Sequence, residues 1–384
     1  MSTTPVPPSS TASADGSRSP SPAPAATAVV YCEANFGEID GKTANGLVRH
    51  SERYEILSVI DSVSAGLDAG VVLGDKPNGI PIVRDLADAL AHADHTPAWF
   101  IFGMAPSSGM LSALERTLVL QAMSLGMGVV NGLHEFLNDD PEMAAAAHLN
   151  GVSILDVRRP RDKKDLRMFT GRIDTVTCPR IAVLGTDGAI GKRTTATILT
   201  QALRDAGLNA VLVGTGQTSK IQGAKYSTAL DAIPCQFASG EMESTVVDAF
   251  ETEHPDVIIV EGQGALSHPA YLTSAYILRG SRPQAVVLQH APKRNRLGDF
   301  GKVVMPTAAS EINLIQTFAD TKVIGVTINH ENMTEAEIDE AIAFHEAELG
   351  IPATDALSRS PERLVEMVLA AFPELQEQRA VVAR

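Results

Sequence analysis

Cysteine is almost missing from the sequence. Three residues in 384 (Cys32, Cys178, Cys235) stand far apart, with no CxxC pair and no matching histidine pair. That excludes a disulfide framework and a cysteine-based zinc site, and leaves buried free thiols in a reducing cytoplasm as the expected state. Basic residues are also short. Thirty-one Lys and Arg against 46 Asp and Glu give a net charge of −15, which argues against an extended nucleic-acid or anionic-membrane surface, since both need dense positive charge. No apolar run approaches the ~18 residues of a membrane span. Residues 1–28 have almost no large apolar side chains, Val6 being the exception, and only Asp15 and Arg18 are charged. Such a Pro-, Ser-, Thr- and Ala-rich stretch is expected to be a disordered tail, and it lacks the apolar core of a secretion signal.

What is present suits two folded domains. Apolar residues make up 44% of the chain, and 384 residues exceed what one ordinary core organises. From residue 29 to 160, short β-branched runs (Ala28–Cys32, Glu55–Asp61, Ala98–Gly103, Gly128–Val130, Ser153–Asp156) alternate with helical stretches (Val83–Ala93, Leu111–Leu125, Pro141–Leu149). Leu111, Leu114, Leu118 and Met123 fall at roughly helical spacing and predict the face that covers a sheet. This rhythm implies a Rossmann-like parallel sheet with right-handed crossovers. Residues 161–179 read as a linker. A second α/β domain follows at 180–384, with strands at Ile181–Leu184, Ala210–Val213, Val257–Val260, Ala285–Leu288 and Val323–Ile328.

The first domain has no GxGxxG after its first strand, so nothing lets a dinucleotide pyrophosphate approach the backbone there. Asp61 ends the second strand where a ribose-binding acid would sit, though acids at strand ends are common in α/β proteins. Gly41–His50 (GKTANGLVRH) packs two cations, a histidine and two glycines into one helix entrance. It is either a capped helix with a solvated face or a place where Lys42 or Arg49 clamps an anion. His134, after the fourth strand of the series, either lines the same cleft or is structural.

The strongest signal is Gly185-Thr186-Asp187-Gly188-Ala189-Ile190-Gly191-Lys192-Arg193-Thr194-Thr195, between a buried strand and a helix running from Lys192 to about Ala206. Glycines permit the tight turn, successive N–H groups face one concavity, and the helix N-terminus adds its dipole and Lys192 a charge. Phosphate or pyrophosphate binding follows. The loop departs from the usual pattern twice. Five residues rather than four separate Gly185 from Gly191, and Arg193 follows the lysine where a Ser or Thr hydroxyl would ligate Mg²⁺. Thr194 and Thr195 offer hydroxyls only by a register shift, each step turning a side chain by about 100°. Three further loops emerge at the same sheet edge. Thr215 and Gln217 lie on one; Glu261, Gln263 and His268 lie on the next; Asn329 follows the last strand. Glu241 is a further acid that could join them. Glu261 and His268 are candidates for acid–base work, with loop bracing the alternative for each. Asp187 and Glu261 are the metal candidates if Mg²⁺ is used.

The GTDGAIGK and VEGQGALSHP motifs resemble those of dethiobiotin synthetase and its P-loop relatives, and Val326–Asn329 resembles the segment that meets the base in that group. A closer resemblance covers nearly the whole chain after residue 28, carried by residues 41–55, 131–137, 155–160, 185–196, 214–219 and 260–271. It is to a two-domain family of formerly unknown function, with a Rossmann-like and a P-loop domain, that includes D-glutamate N-acetyltransferases of the DgcN type. The GKTANGLVRH stretch marks a different branch. The resemblance implies an acetyl-CoA-dependent N-acetyltransferase acting on a small amino acid. Gly188–Lys192 would hold the pyrophosphate, Lys42, Arg49 or Arg193 the acceptor carboxylate, and Glu261 or His268 would take the ammonium proton. The alternatives are an ATP- and Mg²⁺-dependent ligase or kinase, and a nucleotide-sensing regulator. Oligomeric state is not legible; α/β proteins of this size commonly form homodimers.

Overall fold

The computed structural model describes residues 25–74, 76–106 and 108–377. The expected tail lies outside them except for its end, because the first strand already begins at Ala26. Six parallel strands build the N-terminal sheet: β1 (Ala26–Tyr31), β2 (Tyr54–Ile60), β3 (Ile82–Val83), β4 (Trp99–Phe102), β5 (Gly128–Asn131) and β6 (Ile154–Asp156). Their order, β3-β2-β1-β4-β5-β6, is the doubly wound dinucleotide-fold order. Seven parallel strands build the second: β7 (Arg180–Gly185), β8 (Ala210–Gly214), β9 (Tyr226–Ser227), β10 (Val257–Glu261), β11 (Ala285–His290), β12 (Lys322–Ile328) and β13 (Ala353–Thr354), ordered β13-β12-β11-β7-β10-β8-β9. The central strands are wholly buried, which is why they read as unbroken runs of β-branched residues rather than alternating patterns. Among the described residues no helix is long and apolar enough to cross a membrane.

Two helical expectations are corrected. The stretch read as a helix from Val83 opens on the last residue of strand β3, and the helix starts at Leu86 because Asp85 caps it, its carboxylate accepting from Asp88 N. In the helix Ala113–Ser124, Ser112 and Glu115 form a capping box, which leaves Leu111 outside. Its fully buried residues are Val119, Ala122 and Met123, and Leu118 and the preceding Leu111 pack partly buried against the same core; of the four residues read as the covering face only Leu114, 76% exposed, points away. All three cysteines are free, and Cys32 and Cys178 are buried, but Cys235 opens a helix just after Pro234 and is exposed.

The two sheets turn their carboxyl edges toward each other. A short helix of the second domain (Gln217–Gln222) fills the join and packs on the N-terminal helix Lys42–Arg49. Two glycines allow this approach: a Cβ on Gly46 would lie 3.0 Å from Thr218 Cγ2, and one on Gly132 would lie 3.4 Å from Ile221 Cδ1. The linker is strapped down. Glu241 accepts from Arg167 N and its guanidinium, and Glu243 accepts from Thr170 N, Thr170 Oγ1 and Ile173 N. Glu241 therefore ties the linker to the helix Cys235–Glu253 and does not join the cleft.

Candidate functional site

The phosphate loop leaves β7 and enters the helix Lys192–Asp205, whose Ala196, Leu199 and Leu203 are buried on one face. Ala189 (φ 47°) and Gly191 (φ 98°) both take left-handed backbone, and this curls the loop into a concavity backed by the unpaired first-turn N–H groups of the helix. The cradle has room. A Cβ on Gly188 would come no nearer than 3.8 Å to Asp299 Oδ2, and one on Gly191 would lie 3.7 Å from Asn329 Nδ2. Lys192 is only 5% exposed and folds back to donate to the Asp187 carbonyl. Burial brings its pKa down to about 8; Asp187 opposes that shift and Arg294 adds to it.

Behind the loop, Gln289 acts as a junction. Its Oε1 accepts from Thr195 Oγ1 (2.6 Å) and Thr327 Oγ1 (2.5 Å), and its backbone carbonyl accepts from Thr186 N. Thr186 Oγ1 is bonded to His290 Nδ1 at 2.9 Å. The hydroxyls of Thr186 and Thr195 thus point back into the protein and anchor the loop, correcting the expectation that they face a ligand. Thr194, in contrast, lines the cleft.

Asp187 is also engaged. Oδ1 accepts from Gly188 N at 2.7 Å, and Oδ2 accepts from Arg294 Nη1 and Gly298 N at 2.9 Å each. Arg294 binds Glu331 with its other edge. An aspartate whose oxygens are taken in this way is a loop brace, so its reading as a metal ligand is corrected. Arg294 went unnoticed in the sequence. Its signal was the basic run Lys293–Arg296 directly after a strand, at the same sheet edge as the phosphate loop.

β10 pairs directly with β7, setting Glu261 beside Val183. Glu261 Oε2 accepts from Thr215 N at 3.0 Å, and Thr215 Oγ1 donates to the Glu261 carbonyl at 3.0 Å. Gln263 Nε2 donates to the Thr215 carbonyl. Thr215, fully buried, is accordingly a brace, not a substrate contact. Glu261, Gln263 and Gln217 line the cleft.

The two histidines are fixed as donors. His268 Nδ1 accepts from Ala270 N and Tyr271 N, both 3.2 Å, so its proton sits on Nε2, which is buried without a partner among the described residues. Its ring stacks on Tyr271 at 4.3 Å, and burial lowers its pKa. A ring held in that tautomer cannot accept a proton at Nε2, which corrects the base role expected for it. His134 Nε2 lies 2.9 Å from Arg158 Nη1, a group that only donates, so His134 carries its proton on Nδ1; burial and then Arg158 lower its pKa.

Arg193 stands at the domain join. Its Nε donates to Gln222 Oε1 at 2.8 Å, while Gln222 Nε2 donates to the carbonyls of Gly46 (2.7 Å) and His50 (2.8 Å) across the interface. Arg193 Nη1 is buried with no partner among the described residues. Lys42 is exposed at the cleft, and Arg49 at its rim donates to the Leu73 carbonyl at 2.9 Å. Asn329 presents Oδ1 to Glu331 N, leaving Nδ2 near Gly191. Asp61 is 1% exposed and accepts from Ala34 N and Val63 N, bracing a turn where a ribose contact was considered.

The cleft these groups share has a volume of about 2250 Å³, well beyond the ~300–1,000 Å³ of an ordinary small-ligand pocket. It brings together Lys42, Arg49, His134, Gln217, Lys192, Arg193, Glu261, Gln263 and Asn329 from both domains.

Residues 167–365 match the family model described as a domain of unknown function (DUF1611_C), P-loop domain, and residues 62–160 match DUF1611_N, a Rossmann-like domain. A D-glutamate N-acetyltransferase of Pseudoalteromonas sp is 29% identical over 272 residues, 69% of this chain and 80% of that protein. Another of the same name, from Tritonibacter scottomollicae, is 28% identical over 277 residues, 70% of this chain and 80% of the relative. A crystal structure of a DUF1611 family protein from Anabaena variabilis superposes with a TM-score of 0.82 at 31% identity, covering 90% of this chain and 99% of that one.

Proposed function

The chain belongs to the DUF1611 family, and from that membership and the geometry of the cleft we propose that it is an acetyl-CoA-dependent N-acetyltransferase of a small amino acid, D-glutamate or a related D-amino acid. The observation that carries this reading is a pyrophosphate cradle built without the usual metal ligands. Arg193 occupies the hydroxyl position and is tied to Gln222, Asp187 is held by Arg294, and Thr195 faces Gln289. The buried, unpartnered Arg193 Nη1 and the open concavity at Gly188 suit an anionic pyrophosphate. When bound, acetyl-CoA would supply an acetyl group already activated as a thioester.

The residues then divide the work. Gly188–Lys192 hold the pyrophosphate through N–H groups and the Lys192 ammonium. Lys42 and the Nδ1–H of His134 face the same cleft from the N-terminal domain and hold the acceptor carboxylate. Glu261 Oε1, which lacks the backbone bond that Oε2 makes, takes a proton from the acceptor ammonium and frees the amine to attack. Such base assistance contributes typically ~10²–10⁴-fold. Holding both reactants in one cleft supplies more. The names of the relatives at 28–29% identity support the N-acetyltransferase class.

The test is calorimetric titration with acetyl-CoA and, separately, with Mg²⁺-ATP, each repeated on Lys192→Ala, followed by acetylation assays on a panel of D- and L-amino acids. Acetyl-CoA binding weakened by Lys192→Ala, with acetylation of a D-amino acid, is the expected result. Mg²⁺-ATP binding without acetyl-CoA binding would overturn the proposal in favour of a ligase, with Glu261 its metal candidate.

A further inference from the structure

A second, smaller crevice of about 260 Å³ opens behind the interface helix Gln217–Gln222, between the linker and β9. Cations crowd it, although the chain carries a net charge of −15. Most already have carboxylate partners: Arg158 binds Asp231, Arg159 binds Asp139, Arg167 binds Glu241 and Asp248, and Lys225 binds Glu253. Lys220 does not. Half-buried on the interface helix, its ammonium has no hydrogen bond or ion pair among the described residues. Arg161 reaches only Glu241, at 3.7 Å, a carboxylate that Arg167 already occupies. The hydroxyls of Ser227 and Thr228 line the same crevice and likewise donate to nothing among the described residues.

We propose that this crevice is a second anion site, taking a phosphate dianion, free or as the head of a small monoester, between the Lys220 ammonium, the Arg161 guanidinium and the hydroxyls of Ser227 and Thr228. Lys220, Arg161, Ser227 and Thr228 line a volume ample for a phosphoryl group, and the two carboxylates on the same wall, Glu241 and Asp248, are held by Arg167. A half-buried ammonium beside another cation is unfavourable until an anion joins them. In keeping with this, burial and then Arg161 lower the pKa of Lys220. The anion would bridge the linker to the same short helix that carries Gln217 and Gln222 into the main cleft, so its binding would be felt there. This proposal does not depend on the transferase reading.

Because the main phosphate loop also binds phosphate, the experiment starts from full-length Lys192→Ala. Its melting temperature is followed against inorganic phosphate, and separately methyl phosphate, at constant ionic strength set with chloride. A rise of about 2 °C at ten times Kd is expected. Lys192→Ala/Lys220→Met and Lys192→Ala/Ser227→Ala/Thr228→Val should both lose it. Lys220→Met should melt no lower than its parent without phosphate, since it removes a half-buried charge with no partner among the described residues. A response to both ligands indicates a site open to monoesters, and a response to phosphate alone a site for the free ion. No response in Lys192→Ala, or a response that survives Lys220→Met, would overturn the proposal.

Discussion

Lys192 enters the cleft with a pKa near 8, so its charge is a function of pH in the range where enzymes are assayed. On the proposed role the lysine holds an anion as a cation: its contribution is nearly complete at pH 7, half gone at about pH 8 and fading above it. Acetyl-CoA affinity should therefore fall between pH 7.5 and 9 in the wild type, and the pH dependence should be absent in Lys192→Ala. The substitution itself removes a charge-assisted interaction of about 1.5–3 kcal/mol, a loss of roughly 10–100-fold in Kd. Glu261→Gln keeps the acceptor oxygen that Thr215 N needs and removes only basicity. It should lower kcat by about 10²–10⁴-fold with acetyl-CoA binding unchanged; a matching loss of binding in the calorimeter would contradict the base assignment. The GxxxxxGK loop was legible because its residue types and spacing are local. The engagement of Asp187 was not, because its partner Arg294 is 107 positions away and no local spacing announces such a pairing.

Among elements, β11 is the one whose end sets the loop's shape, through Gln289 and His290. Burial brings the His290 pKa down to about 4, with His345 adding to the effect, its ring 5.2 Å distant. The folded state thus holds His290 neutral against an unfolded value near 6.5. Its stability is fully present above pH 6.5 and is lost as pH falls from there toward 4, amounting to about 3 kcal/mol. The melting-temperature gap between wild type and His290→Asn should shrink as pH drops from 7 to 5. Gln222 serves the interface helix in a similar way. Gln222→Ala leaves Arg193 Nε and two carbonyls without their partner and should cost about 1–3 kcal/mol in urea unfolding. The long strands were readable as β-branched runs. The two-residue strands β3, β9 and β13 and the helix Gln217–Gln222 were not, since two residues establish no period and Gly214–Ser219 reads as a loop until the N-terminal domain packs on it.

For the molecule as a whole, the alternation of strands and helices was enough to give two parallel-sheet domains, whereas how they meet was not, because the contacts are single pairs far apart in sequence. Arg158 is the clearest of these. Its side chain is 7% exposed and binds Asp231, the Gly132 carbonyl (2.6 Å) and His134. Arg158→Met should leave the Gly132 carbonyl without its donor and cost about 1–3 kcal/mol, read as earlier unfolding and faster proteolysis in the linker that follows. The facing carboxyl edges have a consequence for how such a protein diversifies. The groups proposed to grip phosphate sit on one sheet, and those facing them across the cleft from the other domain lie at the two ends of its first helix (Lys42, Arg49) and on the loop after β5 (His134). On the proposed function, mutations in the N-terminal half would retune which acceptor is admitted while the donor grip is inherited intact. A collection of chains with this architecture would share one donor and diverge in acceptor, and loops exchanged between them would carry acceptor preference along.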